Sequence, residues 1–434
     1  MDPQERRQFQ LERLQSTLNR AFRNVHFHQE RFEAAGFDPA EIERLEDLNR
    51  IGFTRRRDLG EHYPYGLFAV PLRDIVRIHT ASGTTLKPAV SGYTRQDLQV
   101  WREIVARALE AGGVSPIDIL QIILDPGLSN WGRDYKEGAE AVGASVIPYT
   151  PLSLDKQVMV LRDYKTSVLI TTPASAGQLA MYLHKTGVHP TALGLKRLIL
   201  VGEPVAPGLR SELEGRLHVE TWQHYGLSEV PGPAIGFECS RHAGLHVNED
   251  HFLPEIVDPA SGDVLPEGEP GELVLTTLTT RAFPLIRFRT GDRARFIPDG
   301  CGCGVTLRRI EWLAERTDEM LSIRGVKVSP DQVHATVQAA LGRLPQHCRF
   351  FRRVRDARHW LEVWIGVDDT LFSDEIKELQ RVIHTVGTRL EESLGVPVAV
   401  RILEGRSFAA DREDQGADHC LPPPLQGDLP RPGI

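Results

Sequence analysis

The sequence has no uninterrupted apolar run near the ~20 residues that a membrane helix needs, so no spanning segment is expected. It has no excess of positive charge either: 51 Lys and Arg stand against 59 Asp and Glu, a net charge of −8. That removes the electrostatic case for nucleic acid or an anionic membrane as partner. Five cysteines in 434 residues are too few for a disulfide framework, and clustered ones point instead to a metal. The first residues, MDPQERRQFQLERLQ, lack the apolar core of a signal peptide, and a cytoplasmic location is expected. The phosphate-binding pattern GxxxxGK(S/T) is missing too.

What the sequence does have is the stretch His79-Thr80-Ala81-Ser82-Gly83-Thr84-Thr85-Leu86-Lys87-Pro88. A strand is expected before it at Asp74–Ile78, and an amphipathic helix after it from Thr94 to Ala111. Three hydroxyls, a glycine and a lysine between strand and helix can cradle an anion such as a polyphosphate, because Gly83 has no Cβ to block approach. The alternative is a plain polar loop.

Length leaves room for two or three domains. Residues 1–35 read as helical, with Leu11, Leu14, Leu18 and Phe22 at spacings of three and four. His26 and His28 near its end lack a third ligand in sequence, which favours surface or packing roles over a metal. Short Ile/Val/Leu runs at 118–124, 144–148, 167–171 and 196–201 alternate with helical stretches near 134–142, 155–164, 174–187 and 207–216. This predicts an α/β fold with a largely parallel sheet, whose ligands bind beyond the carboxyl ends of the strands. A β-rich subdomain is expected at about 237–315 and a small α+β module after it, with helices near 330–342 and 373–394. The Pro- and Gly-rich tail from Asp411 to Ile434 is expected to be disordered.

In order, the motifs SGTTLKP, GEP, HYGLSE, GLHVNEDHFLPEIVDPASGDVLPEGEPGELVLTTLT, PLIRFRTGD and ERTDEMLSIRGVKVSPDQV resemble those of the adenylate-forming ligases, and among them the phenylacetate-CoA ligase branch. The resemblance runs from about Tyr63 to residue 400. It implies a large N-terminal α/β domain (1–317, mixed and parallel sheets) and a small mobile C-terminal domain (318–410). Acid and ATP would form an acyl-AMP, and a thiol, usually coenzyme A, would displace AMP. By the same resemblance Ser82, Thr84, Thr85 and Lys87 hold the β- and γ-phosphates. Glu229 holds Mg²⁺, with Ser228 beside the α-phosphate. Glu203, Pro204, Tyr225 and Gly226 belong to the nucleotide site, with Tyr225 on the adenine face. Asp292 accepts from both ribose hydroxyls, Arg316 touches ribose and phosphate, and Asp318 is the hinge. Each role suits its chemistry, since bringing a carboxylate to a phosphate demands positive charge and donors.

Two departures stand out. Leu86 occupies a position usually held by Gly, and no Lys follows Lys377, although adenylating members carry one near the C-terminus. Lys327, Arg406 and Arg412 are candidates to replace it. The acid pocket is expected from Trp131, Tyr135, Lys136, Gly226 and Pro231, and its substrate is an aryl or arylacetic acid such as phenylacetate or anthranilate. An ATP-independent transferase from acyl-CoA to an acyl carrier protein, and a silent AMP-binding homologue, are the alternatives. A homodimer is one quaternary arrangement to test. Cys301-Gly302-Cys303, with Cys239 62 residues earlier, offers three thiolates. The resemblance supplies His246, rather than His242, as the fourth ligand of a structural Zn²⁺. The alternative is reduced, buried cysteine.

Overall fold

A computed structural model describes residues 2–81, 87–147, 152–230, 232–298, 300–342, 345, 347–355, 358–367 and 376–404. Ser82, Thr84, Thr85, Pro231, Arg406, Arg412 and the 411–434 tail lie outside the described residues. The chain begins with two helices, α1 (Pro3–Asn24) and α2 (His26–Ala34), which break at the extended Val25. Asp2 caps α1 with Glu5 completing the capping box. Leu14, Leu18 and Phe32 form a core of their own with Leu253 and Ile286. His28 is fully buried with Nε2 3.2 Å from the Pro284 carbonyl, which bears out its packing role. A short helix, α3, follows at Arg56–Glu61.

The first strand, β1, runs Arg77–Ala81, not Asp74–Ile78, and pairs with β2 (Ala89–Tyr93). Val76 and Ile78 are half-exposed, so the alternation that suggested an earlier start does not mark a buried face. Helix α4 (Arg95–Ala111) is opened by a Thr94–Asp97 capping box. The expected alternation then follows: β3 (Ile119–Ile123), α5 (Ser129–Val142), β4 (Ser145–Ile147), α6 (Leu154–Asp163), β5 (Val168–Thr171), α7 (Pro173–Thr186), β6 (Arg197–Val201), α8 (Pro207–Leu217) and β7 (Glu220–Tyr225). These strands are parallel, and β5 and β6 are apolar on both faces, as a sheet covered on two sides requires. Helices α4 and α5 approach closely at Gly138, where a Cβ would stand 2.3 Å from Val105.

Strands β8 (Gly236–Phe237), β9 (Leu245–Val247), β10 (Phe252–Val257), β11 (Gly271–Thr277), β12 (Phe288–Ile297) and β13 (Arg309–Arg316) are antiparallel, and they extend the same sheet. Its eleven strands run β10-β11-β12-β13-β9-β8-β7-β6-β5-β3-β4. From β7 to β12 is four strand spacings, about 19 Å if the sheet were flat. Yet Tyr225 of β7 touches Asp292 of β12. The sheet therefore bends back on itself between β7 and β12.

A hairpin, β14 (Leu321–Ile323) and β15 (Val326–Val328), lies beyond. Its two-residue turn has Arg324 at φ 54° and Gly325 at φ 83°, the paired positive values of a type I′ turn. Helix α9 (Pro330–Leu341), β16 (His347–Arg355), β17 (Arg358–Val367), α10 (Ile376–Leu394) and β18 (Val398–Glu404) complete a small α+β unit. Among the described residues no helix is long and apolar enough to cross a membrane.

Candidate active site

The bend brings Tyr225, Asp292, Arg316 and Lys327 together. Tyr225 is fully buried and donates to Asp292 Oδ2 at 2.9 Å, with its ring edge-on to Trp312 at 4.8 Å. Arg316, opposite Asp292 in the β12–β13 register, ion-pairs with Asp292 and also donates to Asp318 at 2.7 and 2.6 Å. Lys327 comes from β15, and its Nζ lies 2.9 and 3.2 Å from the two oxygens of Asp292. Burial pulls Lys327 down to about 8 against the opposing pull of Asp292. Burial pushes Asp292 up, but Lys327 and Arg316 outweigh it and hold the carboxyl below its ordinary range. Both Asp292 oxygens, the acceptors expected for ribose, thus already carry donors from three side chains.

One hollow adjoins this cluster at Lys327, and a second lies next to it; Trp131, Gly127, Leu227 and Ser228 line both. One opens toward Gly226, Glu229, Gly325 and Lys327. The other reaches His79, Trp101, Asn130 and Val230. Gly226 must be glycine, because a Cβ would sit 2.7 Å from the Gly232 carbonyl oxygen. Glu229 is buried and ion-paired with Arg56 of α3 at 2.8 Å. Arg56 bears no motif signal and was not foreseen. Lys87 is exposed after the expected phosphate loop.

Glu203 faces the hairpin, where it accepts from the Gly325 N–H at 3.0 Å and from Ser322 Oγ at 3.4 Å. Pro204 follows it, half-buried. Gly202 and Gly325 meet backbone to backbone: a Cβ on Gly202 would stand 2.9 Å from the Gly325 Cα. Arg324 adds an ion pair to Asp125 at 3.0 Å, and burial raises Asp125 to about 6.

Two expected pocket residues sit elsewhere. Lys136 pairs with Glu140 at 2.6 Å on the outer face of α5, because Trp131, Tyr135, Gly138 and Ala139 occupy the inner one. Tyr135 is inside but lines neither hollow; it is fully buried with its hydroxyl 2.9 Å from His224 Nδ1.

Cys239, His246, Cys301 and Cys303 converge at the β8–β9–β13 seam, with their ligand atoms all within 4.8 Å of one another. Cys239 Sγ is 3.4 Å from Cys301 Sγ, and Cys303 Sγ is 3.4 Å from His246 Nε2. A tetrahedron built on Zn–S bonds of ~2.3 Å has edges of about 3.5–3.8 Å. His246 Nδ1 lies 2.9 Å from the Leu307 carbonyl, which fixes the ring with Nε2 toward the thiols. The donor set fits zinc. His242 is instead 3.5 Å from Glu238.

Residues 138–279 match the family model described as AMP-binding enzyme. The chain is 39% identical over 410 residues to a phenylacetate-coenzyme A ligase of Thermus thermophilus, covering 92% of each. It is similar to a crystal structure of 2-hydroxyisobutyryl-CoA ligase with 2-HIB-AMP and CoA in the thioesterification state (TM-score 0.88, 26% identity, 96% of this chain and 90% of that one). To the same ligase in the postadenylation state with 2-HIB-AMP the TM-score is 0.69, at 26% identity over 94% and 88%.

Proposed function

The chain belongs to the phenylacetate-coenzyme A ligase family, and on that premise we propose that it joins a substituted aromatic or arylacetic acid to coenzyme A in two half-reactions. The acid's carboxylate attacks the α-phosphorus of ATP, releasing pyrophosphate and forming an acyl-AMP. The thiol of coenzyme A then attacks the acyl carbon and AMP leaves. The observation that carries this is the Tyr225–Asp292–Arg316–Lys327 cluster beside the hollow at Ser228 and Trp131. Tyr225 offers its face to adenine and Asp292 its two oxygens to the ribose hydroxyls. Ser82, Thr84, Thr85 and Lys87 take the β- and γ-phosphates. Glu229 is the carboxylate for Mg²⁺, which when bound neutralises phosphate charge. The elements from Leu321 onward turn about Asp318 between half-reactions.

The arrangement described here is closer to the thioesterification state of its structural relative than to the postadenylation one. In it Lys327 reaches the nucleotide end, so we assign its ammonium to the second half-reaction, against the charge on departing AMP. Adenylation, without the usual C-terminal lysine, is the slower half. Zn²⁺ at Cys239, His246, Cys301 and Cys303 is structural, since four protein ligands leave no open position.

Acid-dependent pyrophosphate exchange followed by thioester formation with coenzyme A tests the proposal. Acyl transfer from an acyl-CoA to a carrier protein without ATP, or nucleotide binding without turnover of any acid, refutes it.

A further inference from the structure

We infer that Arg56 is the cation of the first half-reaction, filling the place that the absent C-terminal lysine leaves open; this rests on the ligase reading above and adds a catalytic residue to it. Bringing the acid's carboxylate to the α-phosphate sets two anions against each other, so that step needs positive charge close by. No Lys follows Lys377 to supply it. At the Asp292 cluster, Arg316 is committed to Asp292 and Asp318, and Lys327 to both oxygens of Asp292. Arg56 is held differently.

Its side chain is 8% exposed, and its Nε lies 2.8 Å from Oε1 of Glu229. Glu229 lines the hollow together with Gly226, Ser228 and Lys327, so the guanidinium stands one carboxylate away from that hollow. Its charge is felt at Lys327, whose ammonium it helps to weaken. The Glu229 contact is an ion pair out of line for a hydrogen bond, and Nε and Nη2 are both buried without a hydrogen-bond partner. Nη1 donates to Met320 Sδ, and a thioether is a weak acceptor. A guanidinium carries five N–H donors, and buried donors are nearly always paired. In the arrangement described, this one is short of acceptors.

The two neighbours of the guanidinium belong to different parts of the chain. Arg56 opens α3, and Thr54 just before it is pinned to β12: its N–H donates to the Arg287 carbonyl at 2.9 Å and its carbonyl accepts from the Arg289 N–H at 3.0 Å. Met320 lies two residues past Asp318. When the elements beyond Asp318 turn, Met320 goes with them, while Arg56 and Glu229 stay. The edge that Met320 covers then faces the cleft, in the half-reaction that needs a cation. A lysine near the C-terminus would be carried in by that turn; Arg56 is resident and is uncovered by it. There the carboxylate oxygen bonds to the α-phosphorus, the bond to the bridging β-phosphate oxygen breaks, and pyrophosphate leaves with that electron pair. No proton moves. The guanidinium supplies charge and a planar pair of donors to the crowded oxygens.

The test measures the two half-reactions separately, as acid-dependent pyrophosphate exchange and as thioester formation from preformed acyl-AMP and coenzyme A. Arg56→Gln should lower kcat for exchange by roughly 10²- to 10³-fold. KM for the acid and the rate of the thioester step should each stay within about threefold. Arg56→Lys keeps the charge without the planar fork, and should recover at least about tenfold of the lost exchange. A residue that only supports the fold would lower both half-reactions together. Equal losses in both, or exchange unchanged in Arg56→Gln, overturns the inference and leaves the ligase reading standing. If Arg56→Gln does not fold, Arg56→Lys decides: exchange about tenfold down with the thioester step kept supports the inference, and equal losses or none overturn it. Wild-type protein that forms thioester from acyl-AMP but exchanges no pyrophosphate overturns the inference alone; protein that does neither overturns the ligase reading as well.

Discussion

Replacing Gly325 with alanine probes how the hairpin docks. A Cβ at Gly325 would stand 2.9 Å from Leu128 Cδ1 and 3.1 Å from the Gly202 Cα, and Gly202 is backbone that cannot swing aside. Two costs follow. The left-handed φ of 83° strains an L residue by about 1–2 kcal/mol, but the turn keeps that φ whether or not the hairpin is docked, so this part cancels between states. Overpacking against Gly202 and Leu128, typically about 1–3 kcal/mol, belongs to the docked state alone. The docked-to-undocked ratio should therefore fall roughly 5- to 150-fold. Because the docked arrangement is assigned to the thioester step, thioester formation from preformed acyl-AMP should fall by up to about that factor, while acid-dependent pyrophosphate exchange stays within about twofold. Gly202→Ala, with its Cβ 2.9 Å from the Gly325 Cα, should reproduce the split. Equal losses in both half-reactions, or no loss in either, would refute the reasoning.

Lys327, held at about 8 by burial, is cationic below that pH and neutral above it. The thioester step should therefore slow as pH rises through about 8, and Lys327→Gln should lower its rate by roughly 10²-fold or more and erase that alkaline limb; an unshifted profile counts against the assignment. Elemental analysis of reduced protein should find one zinc per chain, and Cys303→Ser should lose it and melt lower; zinc-free protein with an unchanged melting temperature excludes the four-ligand site. Lys136→Ala should leave kcat/KM within twofold, because it breaks only an exposed i,i+4 pair worth about 0.3–0.5 kcal/mol; a tenfold loss would return Lys136 to the pocket.

The local parts of the structure were legible because their causes are local. Thr94 and Asp97 cap a helix within one turn of each other, and the runs at Val168–Thr171 and Arg197–Val201 are apolar because both sheet faces are covered. The convergence of Cys239, His246, Cys301 and Cys303 was read from family resemblance and matches the geometry. What escaped depends on packing between distant segments. Tyr135 and Lys136 are adjacent in sequence, and only the docking of α5 on α4 decides that one is buried and the other faces outward. Arg56 meets Glu229 across 173 positions, and Arg56 itself sits in no motif.

The bend between β7 and β12 has a remote consequence. Cys239 just after β8, His246 on β9, and Cys301 and Cys303 in the loop leading into β13 converge, so an ion held by them would clasp the segments between β7 and β12 where Tyr225 and Asp292 meet. Losing an ion held there would let the crease relax and draw the proposed adenine wall, Tyr225, away from the proposed ribose acceptor, Asp292. Nucleotide affinity would then answer to zinc occupancy even though no ligand of the ion touches the nucleotide.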